Sequence, residues 1–359
     1  MQIIQLLPTV AFGDAVGNDA RAIKELLLDM GYKTQIYAEN IDKRLPVGTA
    51  EYVTNMPELQ PEDILLYHGS TGTELNELIP SLGGRKIMIY HNITPGFYFS
   101  PYSLEAASRT EEGIAQIHKL SDQFDYCIAV SDYNKKDLLK MGYNCPIDVC
   151  PILIPFSDYE KAPSKKIIKQ YEKDGYTNLL FVGRIAPNKK QEDVIRSFYI
   201  YQKLYNEKSR LFLVGNSNGM EIYAKRLRDY TEKLEIQDNV IFTGHIKFDE
   251  ILAYYHLADV FVCMSEHEGF CVPLVEAMFF DVPIVAYNTS AIGDTLGDSG
   301  ILLEDNTPVF VASMINKIVE NRILREQVLK GQRNRLKDFE HEKIGQRLKS
   351  CLQSFIEQG

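Results

Sequence analysis

The chain has 359 residues, 45% hydrophobic and 25% charged, with a formal net charge of −10. That length accommodates two ordinary domains with buried cores, and no run approaches the roughly eighteen apolar residues of a membrane span. The acidic balance excludes wholesale nucleic-acid binding. Through Pro155, 12 Lys+Arg stand against 20 Asp+Glu, so peripheral contact with anionic lipid is not supported by charge, although Lys135, Lys136 and Lys140 leave a local basic patch open. Met1-Gln2-Ile3-Ile4-Gln5-Leu6-Leu7 lacks a basic flank and a small-residue cleavage site and reads as a first strand. Six cysteines without zinc or redox spacing are expected to be reduced thiols in a cytoplasmic protein.

Strand and helix signals alternate along the first half. Residues 3–7 read as strand, 18–30 as helix, and 33–37 as a second strand closed off by Glu39-Asn40. Further strands are expected at 64–67, 86–90 and 126–130, with helices near 73–79, 104–120 and 134–141. The stretch from Pro151 through Lys166, proline-punctuated and then charged, looks like a crossing between domains. A second alternation follows, with strands at 178–182, 211–214, 240–242, 260–263, 283–286 and 300–302, and helix over 310–339 and 342–356. This pattern predicts an α/β protein built of doubly wound parallel sheets. The expected domains are 1–155 and 156–340, with a C-terminal helix over 341–359.

Five stretches at strand ends can bind a ligand. Gly13-Asp14-Ala15-Val16-Gly17 follows the first strand; its glycines permit close backbone approach and the next helix offers free N–H groups. It is equally a tight turn capped by Asn18 or Asp19. His91 ends the strand 86–90 and can donate to a phosphate or a sugar hydroxyl, or be an ordinary loop histidine; His68 ends its own strand in the equivalent place. Gly183-Arg184 and Lys189-Lys190 place cations in a short loop before a helix, suited to a diphosphate or to solvent. Gly244-His245-Ile246 ends another strand, where main-chain groups can read a nucleobase edge or form a structural turn. Last, the buried run Val260-Phe261-Val262-Cys263 leads into Glu268-Gly269-Phe270-Cys271-Val272-Pro273 and a helix carrying Glu276. Pro273 suits a helix start, and such a strand–turn–helix is a usual ligand position in open α/β sheets. A lone Glu276 there is equally a favourable charge near a helix N-terminus.

The order Gly183-Arg184-x4-Lys189, Phe-Thr-Gly-x-Ile at 242–246, and Glu268-x7-Glu276 within Glu-Gly-Phe-x-x-Pro-x-x-Glu-Ala resembles the retaining glycosyltransferases of family 4. The resemblance extends to Gly13, His91, Ala129-Val130-Ser131-Asp132 and the C-terminal helices. It implies the GT-B architecture, two Rossmann-like domains facing across a cleft, with the acceptor side first and the nucleotide-sugar side second, and a last helix crossing back to the first domain. It also implies that Glu268 contacts the donor sugar beside the Gly269, Phe270 and Cys271 amides, and that Glu276 holds the ribose. Arg184 and Lys189 would neutralise the departing diphosphate, approached also by Gly13, and His91 would position the sugar. Asp14 stands where the family often has glycine and is an acceptor-side candidate; Cys271 also stands where glycine is common. No Asp-x-Asp motif is present, so transfer without a metal or other cofactor is expected, from a nucleotide sugar to a glycan, a lipid-linked glycan or another hydroxyl. The alternatives are a nucleotide-sugar 2-epimerase, a sugar phosphorylase, or a non-catalytic sugar-nucleotide-binding subunit.

Overall fold

The computed structural model describes residues 1–11 and 13–357. Phe12, which opens the first glycine loop, lies outside the described residues, as do Gln358 and Gly359. The chain divides into two compact units. The first comprises Met1–Gly96, Ala107–Phe156 and the C-terminal segment from Phe339; the second comprises Phe97–Ala106 and Ser157–Asp338.

The first unit holds a seven-stranded sheet of β1 (Gln2–Val10), β2 (Lys33–Ile41), β3 (Glu51–Tyr52), β4 (Ile64–Gly69), β5 (Arg85–Tyr90), β6 (Tyr126–Ala129) and β7 (Ile147–Val149). Its order is β3-β2-β1-β4-β5-β6-β7, with parallel pairing throughout. Helices cover both faces of such a sheet, so its strands are apolar without alternation; Ile64, Leu65, Leu66 and Tyr67 are all fully buried. The second strand does not stop at Glu39-Asn40. It runs to Ile41, and Thr9 pairs with Asn40, because the long β1 offers ladder partners that override the poor strand propensity of those residues.

The first helix is Ala15–Asp29, starting three residues earlier than expected. Its cap is Asp14, whose Oδ2 accepts from the Gly17 amide at 2.9 Å, rather than Asn18 or Asp19. The helix over 73–79 contracts to Leu75–Leu78 followed by a 3-10 turn at Ile79–Ser81, where Pro80 intervenes. The last helix, His341–Glu357, buries Ile344, Leu348, Leu352 and Phe355 at helical spacing. Within the first unit, Arg85 lies over the Phe355 ring at 3.9 Å and donates to the Phe355 carbonyl at 2.5 Å.

The second unit holds β8 (Thr177–Val182), β9 (Ser209–Val214), β10 (Val240–Gly244), β11 (Val260–Cys263), β12 (Ile284–Tyr287) and β13 (Ile301–Leu303), ordered β10-β9-β8-β11-β12-β13 and again all parallel. The charged stretch after Pro163 is the helix Lys165–Tyr171 rather than linker. The expected single helix over 310–339 is two, Pro308–Glu320 and Arg322–Leu336. Asn321 separates them, capping the second by accepting from the Leu324 amide at 3.0 Å.

In each sheet the first strand sits between the second and fourth. Chain direction reverses its progress there, opening a crevice beyond the strand ends, between β1 and β4 in one unit and between β8 and β11 in the other. Among the described residues, no helix is long and apolar enough to cross a membrane.

Candidate active site

Gly13, His68, Gly183 and Glu268 lie at or beyond the ends of strands flanking these switch points, whereas His91 follows β5 and Gly244 ends the edge strand β10; each unit has its own group. In the first unit, Gly13 follows β1 with φ +76°, a conformation that favours glycine. Asp14 is committed to capping; burial pushes its carboxyl up while the Gly17 and Val16 amides pull it down, and burial wins.

Beyond β4 and β5 lies a buried polar cluster. His68 Nδ1 is 3.0 Å from His91 Nε2, the rings stacked at 5.3 Å, and His68 Nε2 is 3.0 Å from Gln5 Oε1. Asp19 Oδ1 accepts from the Leu153 amide at 2.7 Å, while its Oδ2 is 4.0 Å from His91 Nε2. Burial sets the charges. Asp19 is pushed up to about 7 despite the Leu153 amide, His91 is pushed down to about 3, and His68 falls well below the usual imidazole value through burial and the neighbouring His91. At neutral pH both imidazoles are therefore uncharged.

In the second unit, three adjacent strands end in glycines. Gly183, Gly215 and Gly244 all have positive φ, and a Cβ on Gly215 would lie 2.0 Å from the Gly183 carbonyl oxygen. That approach lets the Gly183 amide donate to Val214 and the Ile185 amide donate to Asn216, fixing the loop that carries the cations. Arg184 at its tip is exposed; among the described residues its guanidinium has no hydrogen-bond or ion-pair partner.

Lys189 Nζ instead reaches Glu268 Oε2 at 2.5 Å, with side chains 23% and 8% exposed. Burial opposes the Lys189 charge, but the attraction of Glu268, helped by Cys271, exceeds it and holds the ammonium above the ordinary lysine range. Lys190 takes a left-handed φ of +50° at the start of the next helix and pairs with Glu266 at 3.1 Å.

The Glu268 turn is clamped from both sides. Asn188 donates to the His267 carbonyl at 3.0 Å and accepts from the Glu266 amide. The Glu268 amide donates to Ser290 Oγ at 2.9 Å, and Thr295 donates to the Phe270 carbonyl. Gly269 lies half-buried between Glu268 and the buried Phe270. Cys271 ends the turn at φ +74°, which explains why glycine suits that position: a side chain there costs roughly 1–2 kcal/mol.

The helix Val272–Phe279 then carries Glu276. Its Oε1 accepts from Tyr159 at 3.0 Å and its Oε2 from Tyr255 at 2.6 Å. Burial raises this carboxyl, while donation by Tyr255 and Tyr159 pulls it part of the way back. Gly244 ends β10 with φ +67°; after it His245 is exposed and Ile246 half-buried.

Sequence reasoning missed several of these partners. Gly215 carries the same strand-then-glycine signal as Gly183. Asn188, Ser290 and Thr295 act on backbone groups far away in the chain, and Tyr159 lies in a stretch that read as linker. Nothing in their neighbours signals those roles.

Among the described residues, two groups of metal-ligating side chains have their ligand atoms within 4.8 Å of one another, Asp19/His68/His91 and Cys263/Glu268/Cys271. In the first, the facing imidazole nitrogens are already hydrogen-bonded. In the second, the Lys189 ammonium already neutralises the carboxylate.

Residues 163–335 match the family described as glycosyl transferases group 1. Over that stretch, a little under half of its length, the chain is similar to this family. The O-antigen chain mannosyltransferase B of Escherichia coli is 23% identical over 264 residues, which are 67% of this chain and 68% of the relative. Two other curated relatives are matched over only 54% and 51% of their own lengths. Among solved structures, the sucrose-phosphate synthase of Thermosynechococcus elongatus superposes with a TM-score of 0.78 at 17% identity, covering 100% of both chains. The Anabaena protein HepE in complex with UDP-glucose gives 0.77 at 16% identity, covering 99% of this chain and 100% of that one. The chain thus has the GT-B fold, with each unit one Rossmann-like domain.

Proposed function

We propose that this glycosyltransferase moves a hexose from a nucleotide sugar to a hydroxyl of a glycan or lipid-linked glycan, retaining the anomeric configuration and using no metal or other cofactor. The observation that carries this reading is the pairing of Lys189 with Glu268 at the strand ends where an α/β sheet holds its ligand, on a loop whose Arg184 is unpaired among the described residues. HepE, which shares the fold, is complexed with UDP-glucose, and the mannosyltransferase relative builds an O-antigen chain; both fit such a donor and acceptor.

The roles follow from the chemistry of each side chain. When the bond between the sugar C1 and the diphosphate oxygen breaks, its electron pair leaves with the diphosphate. Lys189 and Arg184 supply fixed positive charge for that oxygen, and Lys189 is released from Glu268 as the anion takes its place. Glu268 then accepts from sugar hydroxyls beside the Gly269, Phe270 and Cys271 amides. Glu276, whose two oxygens are held by Tyr159 and Tyr255, accepts from the ribose hydroxyls. Gly183, Gly244, His245 and Ile246 line the nucleotide with backbone, and Gly13 lets the first loop approach the diphosphate. His91 positions the sugar, and Asp14 stands on the acceptor side. The acceptor oxygen bonds to C1 on the face being vacated, and its proton passes to the departing phosphate oxygen.

The test is the configuration of the product linkage, read by NMR after reaction of the purified protein with its donor and acceptor. Retention is expected. An inverted linkage would overturn the reading and require a general base on the acceptor side, such as Asp14.

A further inference from the structure

We infer that Gln5 and His68 are positioning residues that fix the tautomer of His91, leaving its Nε2 protonated and its Nδ1 a bare hydrogen-bond acceptor. A neutral imidazole has one donor and one acceptor nitrogen. Gln5 Oε1 faces His68 Nε2 at 3.0 Å, so the proton of His68 lies on that nitrogen. His68 Nδ1 is then an acceptor, and the hydrogen of the 3.0 Å contact with His91 Nε2 belongs to His91. Asp19 Oδ2 lies 4.0 Å from the same His91 nitrogen, beyond hydrogen-bond reach. His68 Nδ1 thus accepts from His91 Nε2, and no partner among the described residues occupies His91 Nδ1.

The chain is shielded from water: Gln5 and His68 are 0% exposed, Asp19 is 3% exposed and the His91 side chain 5%. Solvent therefore does not scramble the order of donors and acceptors. Gln5 and His68 act on the ligand only through His91.

The consequence is a choice between ligand groups. A bare Nδ1 accepts from a hydroxyl and offers nothing to a phosphate oxygen, which has no proton to give at neutral pH. His91 thus recognises a hydroxyl-bearing carbon of the ligand and disfavours an anionic oxygen in the same place. This inference rests on the reading of His91 as a sugar-positioning residue only for the identity of the ligand group, not for the tautomer.

The experiment is two-bond proton–nitrogen correlation NMR on the whole protein with 15N-labelled histidine, His91 being assigned by its loss in His91→Gln. At neutral pH, His91 is expected to show a protonated Nε2 and an unprotonated Nδ1. The opposite tautomer, or an imidazolium, overturns the inference. Gln5→Met, which keeps the side-chain length and removes the acceptor, is expected to give a mixture of tautomers. An unchanged His91 spectrum in that variant would strike Gln5 from the relay. A kinetic arm separates this inference from the functional reading. The Gln5 variant should lose about tenfold in kcat/KM, the cost of one misdirected hydrogen bond, with nucleoside diphosphate affinity unchanged. Full turnover by His91→Gln, alongside the expected tautomer, would remove His91 from sugar positioning and leave the relay standing.

Discussion

The two units share a strand order and place polar residues at equivalent strand ends, yet they treat charge in opposite ways. In the first unit burial suppresses it: Asp19 is pushed up to about 7 and His91 down to about 3, and hydrogen bonds to neutral groups take over. At Lys189 in the second unit burial is outbid, although at Glu276 it prevails. Lys189 remains an ammonium because Glu268 lies 2.5 Å away, Lys190 pairs with Glu266, and Arg184 is exposed. A buried neutral array holds direction but exerts little force on an anion, whereas fixed charges stabilise an anion wherever it develops. On the proposed reading, the contrast suits one unit to orienting a neutral group and the other to holding a diphosphate.

Removing a fixed charge should break this contrast most visibly. Lys189→Ala is expected to lower kcat by about 10²–10³, measured in single turnovers, with a much smaller change in nucleoside diphosphate affinity. The charge it meets grows only as the bond breaks. Wild-type turnover would make the Lys189–Glu268 pair a structural tie.

Glu276 sharpens the comparison, because it is a carboxylate whose oxygens are already held by two tyrosines. Glu276→Ala is expected to weaken nucleoside diphosphate binding by about 1–3 kcal/mol in titration calorimetry. Unchanged affinity would mean that the tyrosines, not a ribose, are its partners in the working enzyme.

Asp19 tests the neutral unit. Its folded pKa is raised from 3.8 to about 7, so between those values the folded state binds more protons than the unfolded chain, and this contribution falls as pH rises. Asp19→Asn removes the penalty and keeps the acceptor for Leu153. The variant is expected to gain about 1–2 kcal/mol over wild type at pH 8, a fraction of the full shift, and to match it near pH 4. His91 opposes this trend in both proteins, since its lowered pKa makes stability fall as pH drops from 6.5 to about 3. Denaturant unfolding at both pH values reads the difference; a gain independent of pH would show that the Asp19 carboxyl is not buried against ionisation.

Much of this organisation was legible in the amino-acid order. Continuous apolar runs ending in glycine marked β8 and β10, and the strand–turn–helix with two carboxylates marked the end of β11. The rest depends on partners distant in the chain. Asp14 and Asp19 have the same capping chemistry, and only the fold decides that one caps the helix while the other turns inward to Leu153. Glu39-Asn40 read as a strand end because propensity is local, while the ladder that carries β2 to Ile41 is not. Asn321 divides two helices whose apolar pattern runs on across it. Tyr159 and Tyr255 carry no local sign that their hydroxyls converge on Glu276.

The central claim is that fixed cations of the second unit stand in for a metal at the diphosphate. The most direct measurement is release of nucleoside diphosphate from a panel of nucleotide sugars, with acceptor present, in excess EDTA. Turnover of at least one donor is expected at a rate unchanged by adding Mg²⁺ or Mn²⁺ beyond the chelator. Release that begins only when divalent ion is restored would contradict it.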